Sequence, residues 1–139
     1  MKGDPLPYQD NVVRYVGGSK LDDGIVLPEA FNDTLISVNW LEFKAGGKVE
    51  QVARVRKVLR LKVGKTAVLA ELNVASIRDL DLDVLENPLK ATNEWPSAPC
   101  HAEIVGTPTN LTKKMLIFEQ AADIVTTVYP AYEESHQPN

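Results

Sequence analysis

Apolar residues in this chain alternate along several short runs, and follow a three-to-four residue spacing in only two long ones. That pattern calls for short strands, two main helices, and a sheet on which the helices can bury their stripes. "VVRYV" (12–16) is β-branched and aromatic and stops at Gly17-Gly18, so it reads as a strand with its end marked. In "TLISVNWLEF" (34–43), Ile36, Val38, Trp40 and Glu42 share one face of a strand, and Leu35, Ser37, Asn39 and Leu41 the other. "KTAVLAEL" (65–72), "DLDVLE" (81–86) and "HAEIV" (101–105) are further strands. Between the strands, Asp23-Gly24 is a turn pair, Pro28 can open a short helical turn, and Asn73 can cap a short helix over "VASIRDL".

The first long helical run is residues 48–64, where Val49, Val52, Val55, Val58 and Leu59 form a stripe that Gly64 can terminate. The second begins at a Thr109 or Asn110 cap. Leu111, Met115, Phe118, Ala122 and Val125 repeat down one side, and Pro130 stops the helix. The expected fold is therefore α+β: a single compact domain, residues 12–129, with a mixed β-sheet packed by two main helices. Residues 1–11 read as a flexible arm and 130–139 as a flexible polar tail. The stripe on the last helix suits a second copy as well as a core, which makes a homodimer one admissible assembly.

At 139 residues the chain suits one domain with one ordinary core. A net charge of −4 exerts no global pull on nucleic acid or anionic lipid. The opening "MKGDPLPYQDN" lacks the apolar stretch of a secretory signal, and no apolar run is long enough to span a membrane. A single cysteine, Cys100, cannot form an internal disulfide, which fits a reducing, cytoplasmic setting.

Two features carry candidate chemistry. On a strand, His101 and Glu103 project to one side while Ala102 and Ile104 face the core. A carboxylate beside an imidazole can orient it for proton transfer, and Arg14, on the first strand, can clamp a phosphate or carboxylate. Together they would make a small enzyme acting on a nucleotide or RNA phosphate. The plainer alternative is a polar strand face and a solvent-facing arginine. The second feature is "RVRKVLRLKVGK" (54–65), six basic residues uninterrupted by an acid: Arg54, Arg56, Lys57, Arg60, Lys62 and Lys65. This basic helix suits a protein or nucleic-acid partner in a non-enzymatic binding or accessory module, with Trp95 of the Pro-rich loop as a second contact. The plainer alternative is a solvated helix face whose cations complement the C-terminal dipole.

Several chemistries are excluded. His-x-Glu opens the zinc-deaminase signature, but no Cys-x-x-Cys follows. Cys100 and His101 lack the partners for a zinc site, His136 being the only other histidine. As sequence neighbours on a strand their side chains diverge, which disfavours a Cys–His nucleophile. No phosphate-loop spacing accompanies the glycine pairs, and no cofactor or metal is called for.

Taken as a set, "RYVGGSKL", "LISVNWLEF" and "HAEIVGTP" resemble small uncharacterised bacterial proteins over about half the chain. The resemblance implies a bacterial cytoplasmic setting and attaches no activity.

Overall fold

The β-branched run near the start forms the middle of a six-stranded sheet. The computed structural model describes residues 1–59, 64–93 and 97–132. Its strands are β1 (Asn11–Val16), β2 (Leu21–Asp22), β3 (Ile25–Val26), β4 (Ile36–Trp40), β5 (Val68–Asn73), β6 (Asp83–Glu86), β7 (His101–Val105) and β8 (Thr127–Pro130). Its helices are α1 (Lys48–Leu59), α2 (Val74–Arg78) and α3 (Leu111–Asp123). The main sheet runs β6-β7-β4-β1-β5-β8, and β2 and β3 form a separate hairpin. The single α+β domain is as expected, but every pairing among the described residues is antiparallel, where a mixed sheet was expected. The reason lies in α1. It carries the chain from β4 to β5, which run the same way, yet β1 stands between them and pairs antiparallel with both. Periodicity cannot reveal an interposed strand.

Register assigns the two faces. Val12, Val16, Ile36, Val38, Ala70, Leu72, Val84, Ala102 and Ile104 line one side, where Phe31, Ile77, Phe118 and Ala121 cover them. Each fully buried Val, Leu, Ile or Phe among them contributes about 1.5–3 kcal/mol. On the other side Val13 and Leu69 meet Val52 and Val55 of α1, together with Leu41, Ala67 and Ala131.

Local signals are realised where the chemistry was local. Asp23 and Gly24 both adopt positive φ, 53° and 79°, the requirement of the tight hairpin turn between β2 and β3. Residues 28–31 form a 3₁₀ turn with Pro28 at its start. The side chains of Asn73 and Asn110 accept from the backbone N–H groups of Ser76 and Lys113, capping α2 and α3.

Three expectations change. The described part of α1, Lys48–Leu59, buries Gln51, Val52 and Val55 while Val49 is 82% exposed; residues 60–63 of the expected run lie outside the described residues. In α3 only the second half lies on the core: Phe118 and Ala121 are buried, and Leu111 is 71% exposed. That helix ends at Asp123, well before Pro130, because the β-branched run that follows pairs with the edge of β5 as β8. Finally, the segment read as a flexible arm is tied to β6. Gly3 and Leu6 donate N–H to the carbonyls of Glu86 and Val84, Asp4 accepts from Glu86, and Leu6 is 2% exposed. Residues 133–139, the rest of the expected tail, lie outside the described residues.

Glu71 on β5 anchors the far edge. It accepts from the Tyr129 hydroxyl and pairs with Lys48 of α1 at 2.9 Å. Burial, reinforced by the hydrogen bond to Glu71 and its charge, pushes the Tyr129 phenol up to about 12.

Two outcomes follow from this packing. Leu6→Ala should cost about 2–4 kcal/mol in urea unfolding, whereas a loose arm would give under about 0.5 kcal/mol. In an alkaline titration followed at the phenolate absorbance band, one tyrosine should ionise only near pH 12, and Tyr129→Phe should remove that late step. Because the folded value is raised, this interaction's stabilisation is complete below the ordinary tyrosine value of about 10. It is lost as pH climbs through about 12.

Candidate functional site: a cleft where the sheet divides

β1 and β4 pair at only two positions, Val12 with Trp40 and Val13 with Asn39. β5 follows β1 along its whole length, and β7 follows β4 from Ile36 to Asn39. Beyond Val13 the sheet therefore parts into two three-stranded halves. Arg14 fills the gap. Its Nε donates to the Ala30 carbonyl at 3.1 Å, Nη1 to the Ser37 carbonyl at 2.9 Å, and Nη2 to Asp33 Oδ2 at 3.2 Å. Burial draws the guanidinium below its ordinary value, and the Asp33 carboxylate opposes that shift. Arg14 thus stands in for ladder bonds that the parted strands do not make.

On the α1 side of the parting lies a cavity of about 580 Å³, within the range of roughly 300–1,000 Å³ found for small-molecule sites. Tyr15, Val58, Leu59 and Leu89 supply apolar wall. Arg14, Lys20 and Lys90 line it against one carboxylate, Asp33, which Arg14 already engages. The ammonium groups of Lys20 and Lys90 form no hydrogen bond or ion pair among the described residues.

The polar floor comes from β4 and β7. Asn39 and His101 are cross-strand partners, 7% and 9% exposed, and both line the cavity with Ser37. Asn39 Oδ1 accepts from the Cys100 thiol at 3.4 Å. His101 Nδ1 lies 2.8 Å from the Asn87 carbonyl oxygen. A carbonyl can only accept, so Nδ1 carries the proton, and Nε2 of the neutral ring keeps a lone pair. Asn39 Nδ2 and His101 Nε2 have no partner among the described residues. No sealed side-chain polar atom there lacks one either, so these two atoms reach open space.

The sequence candidates are distributed as follows. Arg14 and His101 share the cavity. Glu103 projects from the same face as His101, but no hydrogen bond joins them: Asn87 Nδ2 donates to Glu103 at 2.9 Å, and the Asn87 carbonyl, not a carboxylate, orients the imidazole. On α1, Arg54 donates to the carbonyls of Lys44 and Ala45, and Arg56 Nε to that of Pro130, so both engage main chain. Lys57 is exposed. Arg60 and Trp95 lie outside the described residues. Cys100 is buried, which pushes its thiol up, and its bond goes to Asn39 and not to His101. Among the described residues no group of three His, Cys, Asp or Glu side chains is placed to hold a metal, and no helix is long and apolar enough to cross a membrane.

Sequence reasoning missed Lys20, Lys90, Ser37, Asn39 and Asn87. One signal was present. Asn39 interrupts an apolar strand with an amide, and a polar residue held in a half-buried strand needs a partner. Lys20 ends a short 3₁₀ turn and Lys90 lies in the loop after β6, where nothing local distinguishes them.

Arg14→Ala strands two main-chain carbonyls and Asp33, and should lower unfolding free energy in urea by about 2–4 kcal/mol. Arg14→Lys keeps the charge without the planar fork and should recover less than half. An unchanged midpoint in both would show that the parted strands hold without it. Comparison with protein-family models, with curated proteins and with solved structures finds no match.

Proposed function

We propose that this chain is a binding module for a phosphate-bearing ligand, seated in the cleft between α1 and the parted sheet. The observation that carries the reading is the lining of that cleft. Among the described residues Lys20 and Lys90 are uncommitted there, in a protein of net charge −4, and Asn39 and His101 present atoms without partners from its floor. Those atoms open onto the cleft, where water or a ligand can complete them. The basic helix enters this reading through its end, where Val58 and Leu59 form part of the wall. Arg54 and Arg56 bind main-chain carbonyls and so contribute field more than contact. The setting proposed with it is the bacterial cytoplasm, on the motif resemblance and the single cysteine.

Catalysis on a nucleotide or RNA phosphate is the second reading, favoured by Arg14 and His101 lining one cavity. In it His101 Nε2 would accept the proton of an attacking hydroxyl. Phosphoester cleavage also needs a proton returned to the leaving oxygen. Asp33 is held by Arg14, and Glu103 by Asn87, which places binding ahead of chemistry.

Calorimetric titration with ribose 5-phosphate and the four ribonucleoside 5′-monophosphates should give saturable binding that weakens with added salt. Lys20→Glu/Lys90→Glu should weaken it at least about tenfold. Absence of saturable binding by all five compounds would overturn the proposal. Turnover of any nucleotide, seen by phosphorus NMR and abolished by His101→Ala, would replace it with the catalytic reading.

A further inference from the structure

We infer that the floor of the cleft reads the hydrogen-bonding edge of a nucleobase, which makes the phosphate-bearing ligand a nucleotide. This rests on the phosphate-binding reading and adds what lies at the ligand's other end. Asn39 and His101 face each other across β4 and β7, so their side chains are neighbours on one face. Each has one polar atom fixed within the wall. The Cys100 thiol donates to Asn39 Oδ1, and burial keeps that thiol protonated, which turns the amide nitrogen towards the cavity. The Asn87 carbonyl accepts from His101 Nδ1–H, so in the neutral imidazole the lone pair sits on Nε2. The cleft therefore presents a donor beside an acceptor, both on side chains more than nine-tenths buried, and neither has a partner among the described residues.

The complement of that pair is an acceptor beside a donor on one rigid edge. Phosphate and carboxylate oxygens offer acceptors alone and would set a lone pair against Nε2. A sugar hydroxyl can serve either role but does not hold two such groups in one plane. The Watson–Crick edge of a nucleobase does, with ring nitrogen and exocyclic oxygen or amine side by side. The Ser37 hydroxyl, on the same face two residues from Asn39, can donate or accept to a third group on that edge. Tyr15, Leu59 and Leu89 give the base apolar walls, and aromatic faces accept bases of any sequence. Lys20 and Lys90 remain for the phosphate.

The deciding measurement is the affinity of the intact chain for each ribonucleoside 5′-monophosphate relative to ribose 5-phosphate, by calorimetry. At least one nucleotide should bind at least about tenfold tighter than the sugar phosphate, the discrimination expected of a two-bond edge contact. Asn39→Asp replaces the donor with an acceptor at constant shape and should collapse that ratio. If this variant does not fold, His101→Gln, which alters the neighbouring group, should lower the same ratio. Equal binding of ribose 5-phosphate and all four nucleotides would overturn the inference and leave the phosphate-binding reading standing. Failure of all five to bind would overturn both.

Discussion

The whole arrangement depends on what happens between β1 and β4. Two residue pairs join these strands directly, and past Val13 the backbones separate. Parted strands leave carbonyls facing inwards, and buried carbonyls require donors. Arg14 reaches that of Ser37 on β4 and the carbonyl of Ala30 in the turn at residues 28–31, while its remaining terminus meets Asp33. A planar guanidinium with five donors is suited to span three acceptors at once. Its desolvation is unfavourable, and the half-exposed Asp33 carboxylate offsets part of that penalty. A complete ladder here would leave a continuous sheet and no cleft.

The division of the sheet separates stability from chemistry. One face is apolar from β6 to β5 apart from Arg14, and is covered by α2, α3 and the turn at residues 28–31. On the opposite face α1 covers only the portion around Val13 and Leu69, leaving Ser37, Asn39, His101 and Glu103 on the far half. The polar groups that remain are ordered by one another: Cys100 sets the amide of Asn39, and Asn87 sets both the ring of His101 and the carboxylate of Glu103. Such mutual orientation would hold hydrogen-bonding groups ready for the proposed ligand and so lower the entropy cost of binding it.

Much of the fold was legible from individual residues. Asp23-Gly24 announced a turn with two positive φ values, Asn73 and Asn110 announced caps, and the alternation of His101 to Val105 placed Ala102 and Ile104 on the core. Helix faces were less legible. Val49 and Leu111 fit their stripes by spacing yet stand in solvent, because only the length of a helix that overlies the sheet buries its stripe. Of the residues lining the cleft, His101 and Arg14 were singled out in the sequence, and the common face of His101 and Glu103 follows from strand geometry alone. The partner of the imidazole was not: a main-chain carbonyl from the preceding loop takes the place assigned to Glu103.

By itself the sequence determined the types of the longer elements, the Asp23-Gly24 turn, the caps and the inward side of β7, since these arise from contacts among residues a few positions apart; it did not mark residues 127–130 as a strand. Only the tertiary structure decided the strand order, the antiparallel pairing throughout, the docking of the first residues on β6, and the cleft. Those depend on bonds between residues far apart in the chain, such as Arg14 with Ser37 at a separation of 23 and Cys100 with Asn39 at 61. No periodic pattern encodes which distant segment will lie beside another, because that outcome is set by the total packing and hydrogen bonding of the folded whole.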